Sequence, residues 1–279
     1  MARPASPYSP IVSQHGQTRV IELDPGAYDD TLNLRLRTVA LPEYLDYEAL
    51  SYVWGTHLCY QPAYVDGYET IITANLDVAL RHFRRLHVSR TLWVDAISIN
   101  QEDTEERGHQ VQIMRDIYSS AREVLIWLGP LADQQQQDAL AWVELDHIPA
   151  SLGDRTTLIH GLRRLCQRPW FTRVWVIQEM ALAKNEPIMH LGPRTVLWSH
   201  LVSYFQRVRN LQTKEYGLGA WPSSPDGRLT TFGSLYHNLY LPELRTMRNH
   251  YSLFTNAFNT RSLFSTDPRD MIFGLLGVS

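Results

Sequence analysis

Polar and aromatic side chains that could take part in chemistry are concentrated in three short stretches of the 279-residue sequence. The first is Leu50–Gly55 (LSYVWG), the second is Asp95–Asp103 (DAISINQED), and the third contains Trp175 and Glu179. The first two follow apolar runs typical of buried strands, and ligands bind at the carboxyl ends of strands in open α/β sheets. The third places an acid one helical turn from an aromatic ring, where an unpaired carboxylate is costly to bury.

Several common catalytic signatures are absent from the sequence. It contains no G-x-G-x-x-G after a strand, no P-loop and no G-x-S-x-G elbow. The eleven histidines form no H-E-x-x-H and no Cys/His pair with zinc-site spacing, so we expect no metal and no bound cofactor. Cys59 and Cys166 lack a nucleophile signature, and they fit buried thiols in a reducing compartment, the cytoplasm.

Composition excludes some classes of partner. The chain is 44% hydrophobic and 20% charged, with a net charge of −3 and a pI near 6.4. These values are typical of a globular domain and favour neither nucleic acid nor membrane as a partner. No apolar run approaches the roughly 20 residues that span a bilayer. Residues 1–18 are expected to be a disordered leader, and we expect the native chain to continue beyond Ser279.

The segment Thr91–Gly129 predicts the element that positions the second stretch. Leu92–Ile97 and Val124–Leu128 are short apolar runs, and Asp103 with Glu106 fits a helix N-cap with its capping-box partner. Between the two apolar runs, the spacing predicts a helix with one face formed by Val111, Met114, Tyr118 and Ala121. Strand, loop, helix and strand form a βαβ unit, whose two strands are expected to be parallel neighbours.

Other patterns extend this unit to an α/β fold. Arg19–Leu23 and Leu32–Val39 predict an N-terminal β-hairpin, and Asp66-Gly67 predicts the turn of a second hairpin. We expect a parallel core whose strands begin at Glu48, Leu92, Val124 and Pro187. Helices are predicted after Thr73 or Asn75, after Asp133, after Thr172, over Trp198–Val208, over 237–250 and 253–258, and from Pro268 with Asp267 as cap, with a loop over 211–229.

Ordinary structural roles remain open for the candidate residues. Trp54 and Trp175 could be core residues, and Asp95 could cap the loop that follows it. Glu179 could form a structural ion pair with an arginine such as Arg173 or Arg115. The arginines of the first helix, Arg81, Arg84 and Arg85, fit either a solvated face or phosphate contacts.

Several longer motifs resemble a known family. They are RVIELDPG (Arg19–Gly26), YEALSYVWG (Tyr47–Gly55), LWVDAISINQED (Leu92–Asp103), MRDIYSSA (Met114–Ala121), VLIWLG (Val124–Gly129), RPWFTRVWVIQE (Arg168–Glu179) and DPRDMIFGLLG (Asp267–Gly277). Together they resemble the fungal heterokaryon incompatibility (HET) domain over nearly the whole chain after residue 18. One departure is Ser98, where the family often has cysteine, and this argues against a thiol mechanism.

The resemblance implies a fold and a biological role. HET domains trigger cell death when non-self is detected, and they are similar to TIR domains, which have a flavodoxin-like parallel sheet. We therefore expect a HET domain over residues 19–210 with a helical extension of the same domain over 211–279. The resemblance also implies self-association and an upstream sensor protein or further domain.

The resemblance implies a chemistry as well. WVIQEM resembles the W-x-x-x-E segment in which TIR NAD hydrolases carry their catalytic glutamate, which makes Glu179 the catalytic candidate and an NAD-type nucleotide the substrate. The substrate-binding candidates are Tyr52, Trp54, Gly55, Asp95, Asn100, Gln101 and Trp175, expected to meet Glu179 at one sheet edge. The alternative is a non-enzymatic death-signalling module that acts by self-assembly.

Overall fold

The computed structural model describes residues 6–11, 16–41, 43, 46–58, 62–216, 253, 263, 265, 268–276 and 278. The chain divides into two compact units: residues 1–129 with 182–185, and residues 130–181 with 186–279. The division after residue 129 lies within the predicted 19–210 domain. None of the described helices combines the length and apolar composition needed to cross a bilayer.

The first unit is built on a mixed β-sheet. Its described strands are β1 (Gln17–Leu23), β2 (Asn33–Ala40), β3 (Glu48–Ser51), β4 (Ala63–Val65), β5 (Tyr68–Thr70), β6 (Arg90–Trp93) and β7 (Glu123–Trp127), in the order β5-β4-β2-β1-β6-β3-β7. Its described helices are α1 (Ala74–Phe83), α2 (Asp95–Ser98), α3 (Thr104–Gln112) and α4 (Met114–Ser120). The predicted α/β class is thus confirmed.

The parallel part of this sheet is centred on β3. β3 pairs in parallel with β6 on one side and with β7 on the other. All four residues of β3 are buried, as expected for a strand paired on both edges. The predicted parallel orientation of β6 and β7 is confirmed, but the prediction that they are neighbours is wrong. The pattern of one βαβ segment does not show that an earlier strand lies between its two strands.

Two hairpins extend the sheet on the side of β6. β1 and β2 form the predicted N-terminal hairpin, and β1 also pairs antiparallel with β6. β4 and β5 form the second predicted hairpin. Its turn residues Asp66 and Gly67 have φ angles of 49° and 74°, which the Asp-Gly sequence accommodates.

Helix α1 has the predicted amphipathic pattern, but Arg81 and Arg84 do not have the surroundings that the sequence predicted. Thr73 caps the helix by accepting a hydrogen bond from Leu76 N. Arg81 and Arg84 are only 8% and 9% exposed, because both guanidinium groups donate to backbone carbonyls of the loop at residues 27–31, including those of Tyr28 and Asp30. Neither a solvated face nor phosphate contacts describes these two arginines. Long arginine stems allow buried positions that a charge pattern assigns to solvent.

The helical segment between β6 and β7 is interrupted. The single predicted helix face is divided between α3 and α4, with the break at Ile113, whose φ and ψ are −95° and 7°. Met114, Tyr118 and Ala121 are nevertheless buried, as predicted.

The second unit is mainly helical in its described part. It contains α5 (Gln134–Glu144), α6 (Leu152–Cys166), a 3₁₀ turn (Pro169–Thr172), α7 (Val176–Ala181), β8 (Ile188–Leu191), β9 (Arg194–Leu197), α8 (Trp198–Tyr216) and α9 (Asp270–Leu276). β8 pairs antiparallel with β9, a strand that was not predicted. The predicted cap Asp133 is confirmed for α5.

Two helix ends in this unit differ from prediction. Helix α8 continues to Tyr216, past its predicted end at Val208 and into the predicted loop. Helix α7 begins at Val176 rather than after Thr172, because Thr172 closes the 3₁₀ turn through a hydrogen bond to Pro169 O. The rest of the 211–229 loop, the 237–250 helix, nearly all of the 253–258 helix and the cap Asp267 lie outside the described residues.

A buried acid lies at the start of the central strand. Glu48 has a side chain 3% exposed and pairs with Arg90 Nε at 2.5 Å and Arg122 Nη2 at 3.2 Å, with Arg85 at 3.9 Å. Burial raises the pKa of the Glu48 carboxyl, but the hydrogen bonds and charges of Arg90 and Arg122 outweigh burial. The pKa therefore lies below its ordinary value of 4.5.

We expect Glu48→Gln to remove a pH-dependent part of stability. A carboxyl whose pKa is lower in the folded state stabilises the fold above its unfolded pKa, and this contribution is lost as the pH falls through the folded value. The variant should be less stable at neutral pH, and the difference from wild type should shrink below pH 4.5. Urea denaturation across this range measures it, with exposed Glu69→Gln as control. A difference that does not change with pH would contradict the assignment.

The α5–α6 contact generates a second prediction. A Cβ atom at Gly161 would lie 2.4 Å from Ala139 Cβ and 2.8 Å from Gln135 O. Gly161→Ala should therefore lower the free energy of unfolding by about 1–3 kcal/mol, as overpacking does. Gly153 lies in the same helix with nothing within 4 Å of the added atom, so Gly153→Ala should be neutral or slightly stabilising. Equal urea midpoints for the two variants would refute the close contact.

Candidate functional site

The first candidate stretch leaves the carboxyl end of β3. Tyr52 is buried, whereas Trp54 is 41% exposed, so Trp54 is not an ordinary core residue. Gly55 follows with a φ of 76°, a conformation that glycine adopts without strain. Asn75, at the start of α1, donates from Nδ2 to Val53 O at 2.6 Å and thereby fixes this strand end. The sequence indicated Asn75 only as a helix cap, a role that Thr73 fills.

The second candidate stretch begins at Asp95, two residues after the last residue of β6. The predicted strand Leu92–Ile97 is wrong beyond Trp93, because Asp95–Ser98 forms the helical turn α2. The Ser98 hydroxyl accepts a hydrogen bond from Val94 N at 3.1 Å, and Asp95 Oδ1 accepts one from Ala96 N at 2.7 Å. These side-chain bonds compete with strand pairing and favour a turn.

Trp54, Asp95 and Gln101 come together at the carboxyl edge of β3 and β6. Trp54 Nε1 donates to Asp95 Oδ2 at 2.8 Å, and Gln101 Nε2 donates to the Asp95 carbonyl oxygen at 2.9 Å. Asp95 therefore accepts from the turn that follows it, which fits the structural role left open for this residue. It also orients the indole of Trp54. The result is a half-exposed aromatic ring held by a carboxylate beside an anchored amide.

The loop after α2 is held from behind by a buried ion pair that was not predicted. Arg19 of β1 donates to both carboxylate oxygens of Glu106, at 2.6 and 2.9 Å, and the two side chains are 2% and 7% exposed. Glu106 Oε1 also accepts from Asn100 N at 2.7 Å. Asp103 is the predicted N-cap of α3, but Glu106 faces Arg19 instead of completing a capping box. The signal available in the sequence was an arginine directly before the apolar pair Val20 and Ile21 of β1.

A second buried polar contact fixes α3 against β1. The Thr18 hydroxyl donates to Gln110 Oε1 at 2.6 Å and accepts from Trp93 Nε1 at 3.0 Å. Gln110 Nε2 donates to Gln17 O at 2.7 Å. Thr18, Trp93 and Gln110 are fully buried, so these bonds satisfy groups that would otherwise be costly.

Glu179 lies in the second unit, on the short helix α7. All six residues of α7 are buried, and Glu179 is 2% exposed with Oε1 at 3.4 Å from Arg173 Nη2. The pairing with Arg173, one of the two arginines considered as structural partners, is therefore observed. Trp175 is half-buried and precedes the helix, where its carbonyl oxygen accepts from Glu179 N at 3.2 Å.

Helix α9 fixes α7 from one side. Gln178 Nε2 donates to Phe273 O at 2.5 Å. A Cβ atom at Gly274 would lie 3.1 Å from Val174 Cγ2, so the two segments are in close contact. Glu179 is thus carried on a helix whose neighbours leave little room for rotation.

Other chemistry-bearing groups are sparse in the described part of the chain. It contains no group of three or more His, Cys, Asp or Glu residues that could hold a metal ion. Cys166 is fully buried, and burial raises the pKa of its thiol well above 9.0, which makes it an unreactive structural thiol. Cys59 lies outside the described residues.

Comparison with known proteins adds independent information. A family model described as "Heterokaryon incompatibility protein (HET)" matches residues 47–179. Heterokaryon incompatibility protein 6, OR allele, of Neurospora crassa is 30% identical over 320 aligned residues, which cover 94% of this chain and 47% of that protein. The chain thus spans about half the length of this curated relative. No solved structure matches the chain.

The Arg19–Glu106 pair generates a stability prediction. Glu106→Gln leaves the buried guanidinium without its carboxylate, which should destabilise the protein by about 3–5 kcal/mol. Glu105→Gln, at the neighbouring exposed position, should change stability by at most about 0.5 kcal/mol.

An apolar double variant separates charge from packing at this pair. Arg19→Met with Glu106→Leu should be less destabilised than Glu106→Gln, since it leaves no buried charge. Urea denaturation measures all three variants. A Glu106→Gln protein as stable as Glu105→Gln would overturn the assignment.

Proposed function

The chain is a HET-domain protein, and from this membership we propose that it acts in fungal non-self recognition and programmed cell death as a TIR-like NAD⁺ glycohydrolase. Glu179 is its proposed catalytic residue, and NAD⁺ is a substrate rather than a cofactor. The proposed setting is the cytoplasm, where an upstream sensor or a further domain of a longer chain would cluster the protein.

One observation carries the catalytic proposal: Glu179 is a nearly inaccessible carboxylate on a wholly buried helical turn, 3.4 Å from a guanidinium. Proteins rarely bury a glutamate without a structural or chemical use for it. Glu179 also ends the segment that resembles W-x-x-x-E. The HET family match ends at the same residue.

Hydrolysis of NAD⁺ at the bond between ribose and nicotinamide needs few protein groups besides one carboxylate. Breaking the bond between ribose C1′ and the pyridinium nitrogen returns the electron pair to nicotinamide, which leaves as a neutral base without a general acid. The transition state resembles an oxocarbenium ion, as in glycoside hydrolysis. A fixed carboxylate stabilises that positive charge. Water then adds to C1′ and releases one proton, giving ADP-ribose.

The first unit offers groups suited to a nucleotide. The half-exposed ring of Trp54 would stack on an aromatic base, and its neighbour Asp95 would attract the cationic pyridinium. Gln101 contributes an amide anchored on the Asp95 carbonyl. The remaining proposed substrate contacts are Tyr52, Gly55, Asn100 and Trp175.

The TIR-like fold is likewise part of the proposal. It is supported by the three parallel strands β6-β3-β7 and by the candidate loops at the carboxyl ends of β3 and β6. The antiparallel hairpin β1–β2 would be an addition to a flavodoxin-like core.

The alternative is a signalling module that acts by self-assembly without catalysis. It is favoured by two exposed leucines at the ends of the connection between α5 and α6: Leu145, which caps α5, is 75% exposed and Leu152, the first residue of α6, is 67% exposed. Exposed apolar side chains can be covered by a partner at an association surface.

The decisive test is Glu179→Gln in a clustered protein. Nicotinamide release should fall by a factor on the order of 100 or more, because the main electrostatic stabiliser of the transition state is removed. Glu144→Gln, which alters an ion pair with Arg194 in the same unit, should retain release. Circular dichroism checks the fold of each variant.

Cell death assays separate the two candidate functions. Under the enzymatic proposal, Glu179→Gln abolishes both nicotinamide release and toxicity. If toxicity persists in Glu179→Gln and is lost in Leu145→Asp with Leu152→Asp, the assembly function is favoured and the enzymatic proposal fails.

A further inference from the structure

We propose that Asn75 is the positioning residue for Trp54: its side-chain amide fixes the half-exposed indole as a platform on which an aromatic base of the nucleotide stacks. This inference rests on the proposed function, in which Trp54 is a substrate contact. Asn75 has no catalytic or substrate-binding assignment above. The residues that carry the argument all belong to the first unit.

The first argument is the orientation of the Asn75 amide. Nδ2 donates to Val53 O at 2.6 Å, and Oδ1 accepts from Trp127 Nε1 at 3.1 Å. A backbone carbonyl can only accept and an indole N–H can only donate, so the two partners determine which way the amide faces. The Val53 carbonyl belongs to the peptide bond that joins Val53 to Trp54. Asn75 therefore holds the backbone of Trp54 directly.

The second argument is that the start of α1 anchors the chain on both sides of Trp54. Asn75 holds Val53 O before it, and Ala74 N donates to His57 O after it at 2.8 Å. Ala74 and Asn75 are the first two residues of α1, so one helix supplies both anchors. A short segment between two fixed points has few conformations to lose when a ligand binds.

The third argument is that Trp54 is held from both neighbours of β3. On one side, Trp54 Nε1 donates to Asp95 Oδ2 at 2.8 Å, and Asp95 follows β6. On the other side, Asn75 joins the Trp54 peptide to Trp127, the last residue of β7. β6 and β7 are the two strands paired with β3. Ring and backbone are thus fixed separately, and a fixed aromatic face is suited to stacking on a flat base.

Asn75→Asp tests the bond to Val53 O alone. The substitution preserves the shape of the side chain and an oxygen that accepts from Trp127 Nε1, but it replaces the donor that faces Val53 O with a second oxygen. An acid in the first turn of α1 does not harm the helix, because the helix dipole favours negative charge there. Two facing acceptors cannot form a hydrogen bond, so the peptide that carries Trp54 should move away.

The expected result is weaker nucleotide binding with little change in the chemical step. In a Glu179→Gln background, which prevents turnover, Asn75→Asp should raise the Kd for NAD⁺ by about 10-fold, the order of effect expected when one base loses its aromatic stacking partner. With Glu179 present, KM for nicotinamide release should rise while kcat stays within about twofold of wild type, because the lost interaction is made equally in the ground state and the transition state.

A spectroscopic readout reports on Trp54 itself. The protein is labelled with fluorotryptophan, and the Trp54 signal in fluorine NMR spectra is the one missing from Trp54→Phe. Asn75→Asp should shift this signal in the free protein and weaken its response to NAD⁺. Asn185→Asp is the matched control, because Asn185 Nδ2 donates to Arg122 O at 2.9 Å, just before the start of β7. It should change neither the signal nor the Kd.

The outcomes separate this inference from the proposed function. A wild-type protein that releases no nicotinamide overturns the hydrolase proposal, and the NAD⁺ titrations still decide the role of Asn75. A Trp54 signal that does not respond to NAD⁺ in the Glu179→Gln protein overturns the inference. A lowered melting temperature with an unchanged Kd in Asn75→Asp assigns Asn75 a purely structural role and also overturns it. If Asn75→Asp does not fold, Asn75→Ser, which removes both bonds without adding a charge, is measured in its place.

Discussion

The buried pair of Arg19 and Glu106 is the interaction on which the first unit depends. Their side chains are 2% and 7% exposed, so each charge would be strongly destabilising without the other. Satisfying both requires β1 to lie against α3 and fixes the loop between α2 and α3, since Glu106 also accepts from Asn100 N. The antiparallel strand β1 therefore supports a loop at the carboxyl edge of the sheet as well as extending the parallel core.

The placement of β1 also fixes its neighbour β6 in the sheet. β1 pairs with β6 on the side away from β3. β6 is therefore hydrogen-bonded on both edges, and its carboxyl end is fixed. The Asp95 turn then begins at a defined place, and its carboxylate reaches the indole of Trp54 from the neighbouring strand end. A ring left 41% exposed would otherwise rotate freely; here its N–H is fixed by a charged acceptor.

Local patterns in the sequence predicted most of the strands, both hairpins of the first unit and the Asp103 and Asp133 caps, because each depends on neighbouring residues alone. Long-range choices escaped prediction. The strand order of the sheet places β3 between β6 and β7, and Arg19 pairs with Glu106, which lies 87 residues further along the chain. Arg81 and Arg84 were expected either on a solvated face or in contact with phosphate, whereas both donate to carbonyl groups of a loop distant in sequence. Asp95 and Gln101 were named as candidates from their place after a strand, but their contacts depend on a turn that apolar periodicity predicts as strand.

Three buried glutamates with arginine partners fix different parts of the chain. Glu106 accepts from Arg19 and from a backbone N–H, and Glu48 pairs with arginines at 2.5 and 3.2 Å. Both lie in the first unit and hold its strands in place. Glu179 lies in the second unit, with Oε1 at 3.4 Å from Arg173 Nη2 and on a turn held by α9. Because an ionised carboxylate is costly to bury without a cation nearby, each of the three acids ties its own segment to the segment that supplies its arginine.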